Sequence, residues 1–116
     1  MSIKRHESNK ILSSAVEANG FVFLAGITPK DTSADIKGQT KQVLDEIDRL
    51  LKVCGTDKSK VVSATIWVPD IRWRDGMNEV WIPWADGNQP VRACIEAKLA
   101  DPKMLVEIQV TAVKGK

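Results

Sequence analysis

The first ordered pattern in the chain is a pair of β-prone runs on either side of Asn19-Gly20. Both residues of that dipeptide accept the positive φ of a two-residue turn, so strands are expected over 13–18 and 21–26. Ile3–His6 adds a candidate edge strand. Thr28-Pro29 opens a polar loop through Ser33. Thr32 or Ser33 is the expected N-cap of a helix, with Asp35 in its first turn. From there Ile36, Thr40, Val43, Ile47, Leu50 and Cys54 recur at helical spacing, and Leu44 and Leu51 widen the stripe. Lys37, Lys41, Asp45, Asp48 and Lys52 lie mostly off it. Gly55 supplies the left-handed residue that ends a helix. Val61–Val68 is apolar and β-branched, closed by Pro69, and reads as a strand. Met77, Val80, Trp81 and Trp84 stand at i, i+3, i+4 and i+7 and mark a second, short helix, which Pro83 should end. Val91–Leu99 and Leu105–Val113 read as strands joined by a turn around Asp101-Pro102.

The order ββ(β)–α–β–α–β–β predicts an α+β fold with two helices on one face of a mixed or antiparallel sheet. Small and polar residues alternate along the other face, which points to a partner subunit there. At 116 residues the chain is one domain, 1–116. Seventeen Lys+Arg against fifteen Asp+Glu leave a net charge of +2, which argues against nucleic-acid binding. The longest apolar run, Phe21 to Ile27, is far below the ~20 residues that span a bilayer. No secretory leader opens the sequence, so a cytoplasmic protein with two reduced thiols is expected. One histidine and two separated cysteines argue against a metal site. A Ser-His-Asp or Cys-His device would have to use His6, close to the terminus.

Candidate chemistry gathers in the last two strands. Alternation sorts Val91, Ala93, Ile95 and Ala97 to one face and Arg92, Cys94 and Glu96 to the other. In the next strand Val106, Ile108, Val110 and Ala112 form the apolar row. Aligning the two apolar rows in a hairpin puts Arg92, Cys94, Glu107 and Gln109 on one shared face, with the Cα atoms of Arg92 and Glu107 about 13 Å apart. A small anion fits between such side chains. Arg92 can fork onto a carboxylate, and Glu107 can orient or deprotonate a water. The same two residues also read as solvated charges on a sheet face. Cys94 reads as a nucleophile or, better, as a small packing residue. The Met77/Trp81/Trp84 stripe is a base-stacking platform or core; its helical spacing favours core. Lys37/Lys41 and Lys58/Lys60 make a phosphate patch or a solvated surface, and the interleaved acids favour the latter.

Phe23-Leu-Ala-Gly-Ile-Thr-Pro29, Gln39-Thr-Lys-Gln-Val-Leu44, Met77-Asn78, Pro90-Val-Arg-Ala-Cys-Ile-Glu-Ala97 and Leu105-Val-Glu-Ile-Gln-Val-Thr-Ala112 together resemble the Rid (reactive intermediate deaminase, YjgF) family. The likeness runs over roughly residues 15–113, and the spacing from Arg92 to Glu107 fits the family's motif. It implies a chorismate-mutase-like fold, a homotrimer with ligand clefts between subunits, and cofactor-free hydrolysis of 2-imino acids and their enamine tautomers to 2-oxo acids and ammonia. Carried over, Arg92 is the carboxylate-binding arginine and Glu107 the water-activating glutamate. Gly26 and Cys94 line the cleft with backbone, Asn78 sits at its rim, and Trp81 stands where a tyrosine is common. No metal is implied. The family archetype's Gly-Pro-Tyr is absent, since Ile11–Val16 occupies that stretch and the chain has no tyrosine; Ala25-Gly26-Ile27 replaces its Ser-Gly-Gln. This marks a side branch. Two other functions compete with the enzyme: a non-enzymatic module that senses small carboxylic acids, and an RNA-cleaving or translation-inhibiting protein.

Overall fold

The computed structural model describes residues 2–114. Six strands and two helices follow in the order β1 (Ile3–Ser8), β2 (Ser13–Ala18), β3 (Phe21–Leu24), α1 (Ile36–Val53), β4 (Val61–Val68), α2 (Arg74–Ala85), β5 (Val91–Glu96) and β6 (Glu107–Val113). The sheet order is β1-β2-β3-β6-β4-β5, antiparallel throughout except for the parallel pair β4/β5.

The β2–β3 hairpin turns on Asn19 and Gly20 at φ 52° and 81°, as their chemistry predicts. Asp35, rather than Thr32 or Ser33, caps α1: its side chain accepts from the Gly38 amide at 2.9 Å. Ser33 is instead occupied with Asp31, which accepts from both its amide and its hydroxyl. At the other end Gly55 (φ 77°) closes the helix, with the Thr56 amide on Leu51 and the Gly55 amide on Lys52. The stripe of α1 is buried as its spacing requires, and it gains Gln39. That fully buried amide donates to the carbonyls of Thr32, Ala34 and Lys103 and accepts from the Leu105 amide. Leu105 is thereby drawn out of the expected strand, and β6 begins only at Glu107.

Pro83 does not end the second helix, which runs on to Ala85. It stands in the last turn, so its missing N–H forfeits one hydrogen bond; the stop comes from Asp86 in a left-handed conformation at φ 49°. Met77, Trp81 and Trp84 are buried in the core, the core reading of that stripe. Trp84 Nε1 donates to Asp48 Oδ1 at 2.9 Å and ties α2 to α1. The core between helices and sheet comprises Val22 and Leu24 of β3, Ala64, Ile66 and Val68 of β4, and Ile108, Val110 and Ala112 of β6.

The largest correction concerns the last two strands. β5 and β6 are not a hairpin; β4 lies between them. Ten residues separate Glu96 from Glu107, enough chain to step across a strand and more than a tight hairpin uses. The Asp101 turn exists, with the Met104 amide on the Asp101 carbonyl, but it lies within that crossing and β5 stops at Glu96 rather than Leu99. The consequence for side-chain facing is total. Ile66 pairs with both Cys94 and Ile108, so Arg92, Cys94 and Glu96 share the helix-bearing face with the core rows. Val91, Ala93 and Ile95 point to the helix-free face, where all three are exposed. Glu107 and Gln109 lie on that same helix-free side.

Candidate functional site

The site residues form two halves on opposite faces of the sheet. The first half is built around Arg92. Its Nη1 donates to Asn78 Oδ1 at 2.7 Å, and its guanidinium lies 5.3 Å from the centroid of the Trp81 ring. Asn78 and Trp81 are three residues apart on α2 and so occupy one helix face, turned toward the β5 edge. The parallel β4–α2–β5 connection therefore fixes Arg92 through two side chains of its own crossover helix. An amide oxygen and an aromatic face orient a guanidinium without neutralising it. Its other donors open onto a hollow of about 310 Å³, lined by Asn78, Trp81, Ile82, Gln89, Pro90 and Arg92. Ile82, an apolar residue left exposed on an otherwise amphipathic helix, forms part of this wall, and its place off the buried stripe is the signal that the sequence holds for it. Cys94 packs beside the core two residues further along β5, and burial pushes its thiol up, against the pull of Arg92. That is the environment of a packing thiol rather than an activated nucleophile.

The second half is Glu107 against Gly26. Glu107 opens β6, paired with Trp67, and the bridge between Ile27 and Ile108 brings the Gly26 backbone alongside. A Cβ on Gly26 would collide with Glu107 Oε2, so only glycine admits the carboxylate in this position. Burial raises the Glu107 carboxyl above the usual carboxylate range, with no cation beside it among the described residues. Gly26→Ala is accordingly expected to leave the fold intact while displacing that carboxylate. A crystal structure of the variant should show Glu107 swung off Gly26; an unmoved carboxylate would contradict the close approach.

Glu107 is level with Ile95 across β4, so three residues along the strand and two strand spacings separate it from Arg92, roughly 14 Å between Cα atoms. The distance is close to that of the expected hairpin, but the two side chains leave the sheet in opposite directions. Within one copy of the chain, Arg92 comes together with Asn78, Trp81 and, nearby, Cys94, while Glu107 comes together with Gly26. The helix-free face that carries Glu107 also exposes Phe21, Phe23, Val91 and Ile95, with the two phenylalanine rings 6.0 Å apart.

Other candidates resolve into ordinary surface. Lys37 pairs with Glu79 at 3.0 Å and Lys41 with Asp45 at 3.3 Å, the interleaved surface that their spacing favoured. A larger hollow of about 380 Å³ is lined by Lys30, Gln42, Asp45 and Arg49 among others. Its guanidinium is already taken by Glu7 and Glu46, both at 2.8 Å. Among the described residues, no helix is long and apolar enough to cross a membrane.

Comparison with known proteins gives a consistent result. The family model described as Endoribonuclease L-PSP matches residues 3–114. A RutC family protein from Haemophilus ducreyi is 45% identical over 95 residues, which is 81% of this chain and 81% of that protein. The crystal structure of a YjgF family member from Neisseria meningitidis is 44% identical with a TM-score of 0.96, covering 100% of this chain and 98% of its own. A chloroplastic protein of Arabidopsis thaliana named Reactive Intermediate Deaminase A is 31% identical over 106 residues, which is 86% of this chain and 57% of that protein.

Proposed function

The chain belongs to the Endoribonuclease L-PSP family, which takes in the YjgF and RutC proteins, and from that premise we propose that it hydrolyses reactive 2-imino acids, and their enamine tautomers, to 2-oxo acids and ammonia. The observation that carries this reading is the pair of half-sites. One is a fixed guanidinium and the other a half-buried carboxyl, neither with an ion-pair partner among the described residues, and they lie on opposite faces of one sheet. A single copy cannot close both on one small ligand, whereas two neighbouring copies can.

In the mechanism, Arg92 forks onto the substrate carboxylate with the donors that Asn78 leaves free. A backbone carbonyl near Gly26 or Cys94 of the cleft steadies the iminium nitrogen. Glu107 takes a proton from water as its oxygen attacks the imine carbon, and burial tunes it for that work by strengthening its hold on a proton. Glu107 passes that proton to the carbinolamine nitrogen and then accepts the hydroxyl proton as the oxygen's electron pair forms the carbonyl. The C–N bond breaks, and the nitrogen leaves as ammonia, which takes the hydroxyl proton from Glu107 and departs as ammonium. Water in, ammonia out; no electrons change hands and no cofactor is called for.

We propose that the assembly is a homotrimer, with the exposed apolar row of β3 and β5 covered by neighbours. Light scattering at micromolar concentration is expected to give three times the chain mass; a monomer mass would contradict both the assembly and the shared cleft. A cytoplasmic location suits the two free thiols, Cys54 and Cys94.

The activity is tested by generating 2-iminopropanoate and 2-iminobutanoate in situ with an amino-acid oxidase and trapping surviving imine with semicarbazide. The protein should lower trapped product in proportion to its concentration. Unchanged trapping across several imines would leave the cleft as a sensor of small carboxylic acids. RNA cleavage, the activity in the family's name, has less support. The one histidine, His6, sits on β1, the sheet edge opposite Arg92, and is held by Glu17 at 2.6 Å.

A further inference from the structure

His6, Glu17 and Cys54 are far apart in sequence, yet their ligand atoms all lie within 4.8 Å of one another. They come from three elements: β1, β2 and the residue that caps the C-terminus of α1. The pairing of β1 with β2 sets His6 opposite Ala15 and one step diagonal to Glu17, on the helix-bearing face. The end of α1 delivers Cys54 onto the same spot. The cluster is well sheltered, with the His6 and Glu17 side chains 14% and 13% exposed and Cys54 1%. None of these residues takes part in the chemistry assigned to Arg92 and Glu107.

We propose that His6 Nε2, Glu17 Oε2 and Cys54 Sγ form a binding site for a thiolate-preferring divalent cation, with Zn²⁺ as the natural occupant. Nitrogen, sulfur and a carboxylate oxygen are the donor set that zinc takes, and three protein ligands leave a fourth, tetrahedral position for water. Tetrahedral donors about 2.0–2.3 Å from zinc stand about 3.3–3.8 Å from one another, so the 4.8 Å reach contracts by about 1 Å while His6 and Glu17, now 2.6 Å apart, open by a little under 1 Å. The carboxylate is already divided for the purpose. Oε2 faces His6, while Oε1 accepts from Lys114 Nζ at 2.6 Å and can keep that contact as an outer-shell restraint. A hollow lined by Ser2, Lys4, Glu17, Gly20 and Lys114 reaches the carboxylate from solvent. Binding replaces the Cys54 thiol proton, which leaves to water, and the proton on His6 Nε2 moves to Nδ1. One bound cation would thus pin the outermost strand, β1, to the end of α1.

Cobalt(II) is the probe, added to untagged, reduced, full-length protein. The site predicts one equivalent of Co²⁺ bound, with a thiolate-to-cobalt charge-transfer band in the near ultraviolet and a d–d spectrum of tetrahedral intensity, both bleached by Zn²⁺. Cys54→Ser should abolish the band and Cys94→Ser should keep it. His6→Asn should weaken binding by more than the roughly 10- to 100-fold typical of losing an outer-shell partner, since it removes a direct ligand. Free Zn²⁺ should raise the melting temperature of the wild type in a concentration-dependent way and leave Cys54→Ser unmoved. The absence of a thiolate band in the wild type would overturn the proposal. So would a band that survives in Cys54→Ser, since it would then belong to Cys94. His6→Asn is also the safeguard should Cys54→Ser not fold, because a wild-type band unaffected by it would refute the site.

Discussion

Arg92→Ala is expected to lower imine hydrolysis by roughly 30-fold to several thousand-fold, the loss of a desolvated charge-assisted pair worth ~2–5 kcal/mol. The fold should survive, because the Arg92 side chain is exposed and itself lies outside the core, touching Asn78 and the outer side of the core residue Trp81. Arg92→Lys should restore only part of the rate. An ammonium keeps the charge but cannot fork onto a carboxylate, nor lie flat on the Trp81 ring. Asn78→Ala separates charge from position. It retains the guanidinium and removes its 2.7 Å tether, so it should raise KM more than it lowers kcat. Steady-state kinetics with 2-iminobutanoate, beside circular dichroism and light scattering of each variant, checks all three. A folded Arg92→Ala protein that hydrolyses imines at the wild-type rate would reduce Arg92 to a surface charge.

Glu107→Gln should remove most of the turnover, on the order of 10²-fold or more for a lost general base, with a smaller effect on the affinity for a 2-oxo acid, whose carboxylate sits at the other half-site. The same substitution carries an opposite prediction for stability. Burial raises the Glu107 carboxyl in the folded protein, so the folded state binds its proton more tightly than the unfolded chain does. The stabilising effect of that proton is full below the unfolded pKa, about 4.3. It is lost as pH rises through the folded value, leaving a buried charge at neutral pH. Glutamine has no charge to bury. Glu107→Gln is therefore expected to melt at a higher temperature than the wild type at pH 7 to 8, with the gain vanishing near pH 4. Melting curves across that range check the sign. A variant less stable than wild type at pH 8 would mean that the carboxylate has a partner that stabilises its charge.

Sequence pattern carried the local features well, for a physical reason. Asn19-Gly20 and Gly55 act through their own backbone freedom, and Val61–Val68 and the α1 stripe through contacts that repeat every two or every three to four residues. What it could not carry was pairing between strands distant in sequence. Treating Val91–Leu99 and Leu105–Val113 as a hairpin was the natural reading of consecutive strands, and the intervening β4 reversed which side Arg92 faces. The apolar row of β5 misled for a second reason. Alternation says that Val91, Ala93 and Ile95 share a face but not which face is covered, and here the helices lie on the other side. Gln39 was invisible because a buried polar residue is defined by its partners, and Lys103 and Leu105 lie more than sixty residues away. The residues of the candidate site were legible through the family likeness. That they divide between two faces was not.

That division is the central claim, and subunit mixing tests it most directly. If Arg92 and Glu107 of one cleft come from different copies, Arg92→Ala and Glu107→Gln chains should rescue one another. Unfolded together in equal amounts and refolded, they form mixed trimers in which about one cleft in four pairs an intact Arg92 with an intact Glu107, the product of two one-half probabilities around a symmetric ring. The account predicts recovery of about a quarter of wild-type imine hydrolysis from two nearly inactive parents. Activity that stays at the average of the two parents, in trimers shown to be mixed by mass, would contradict it.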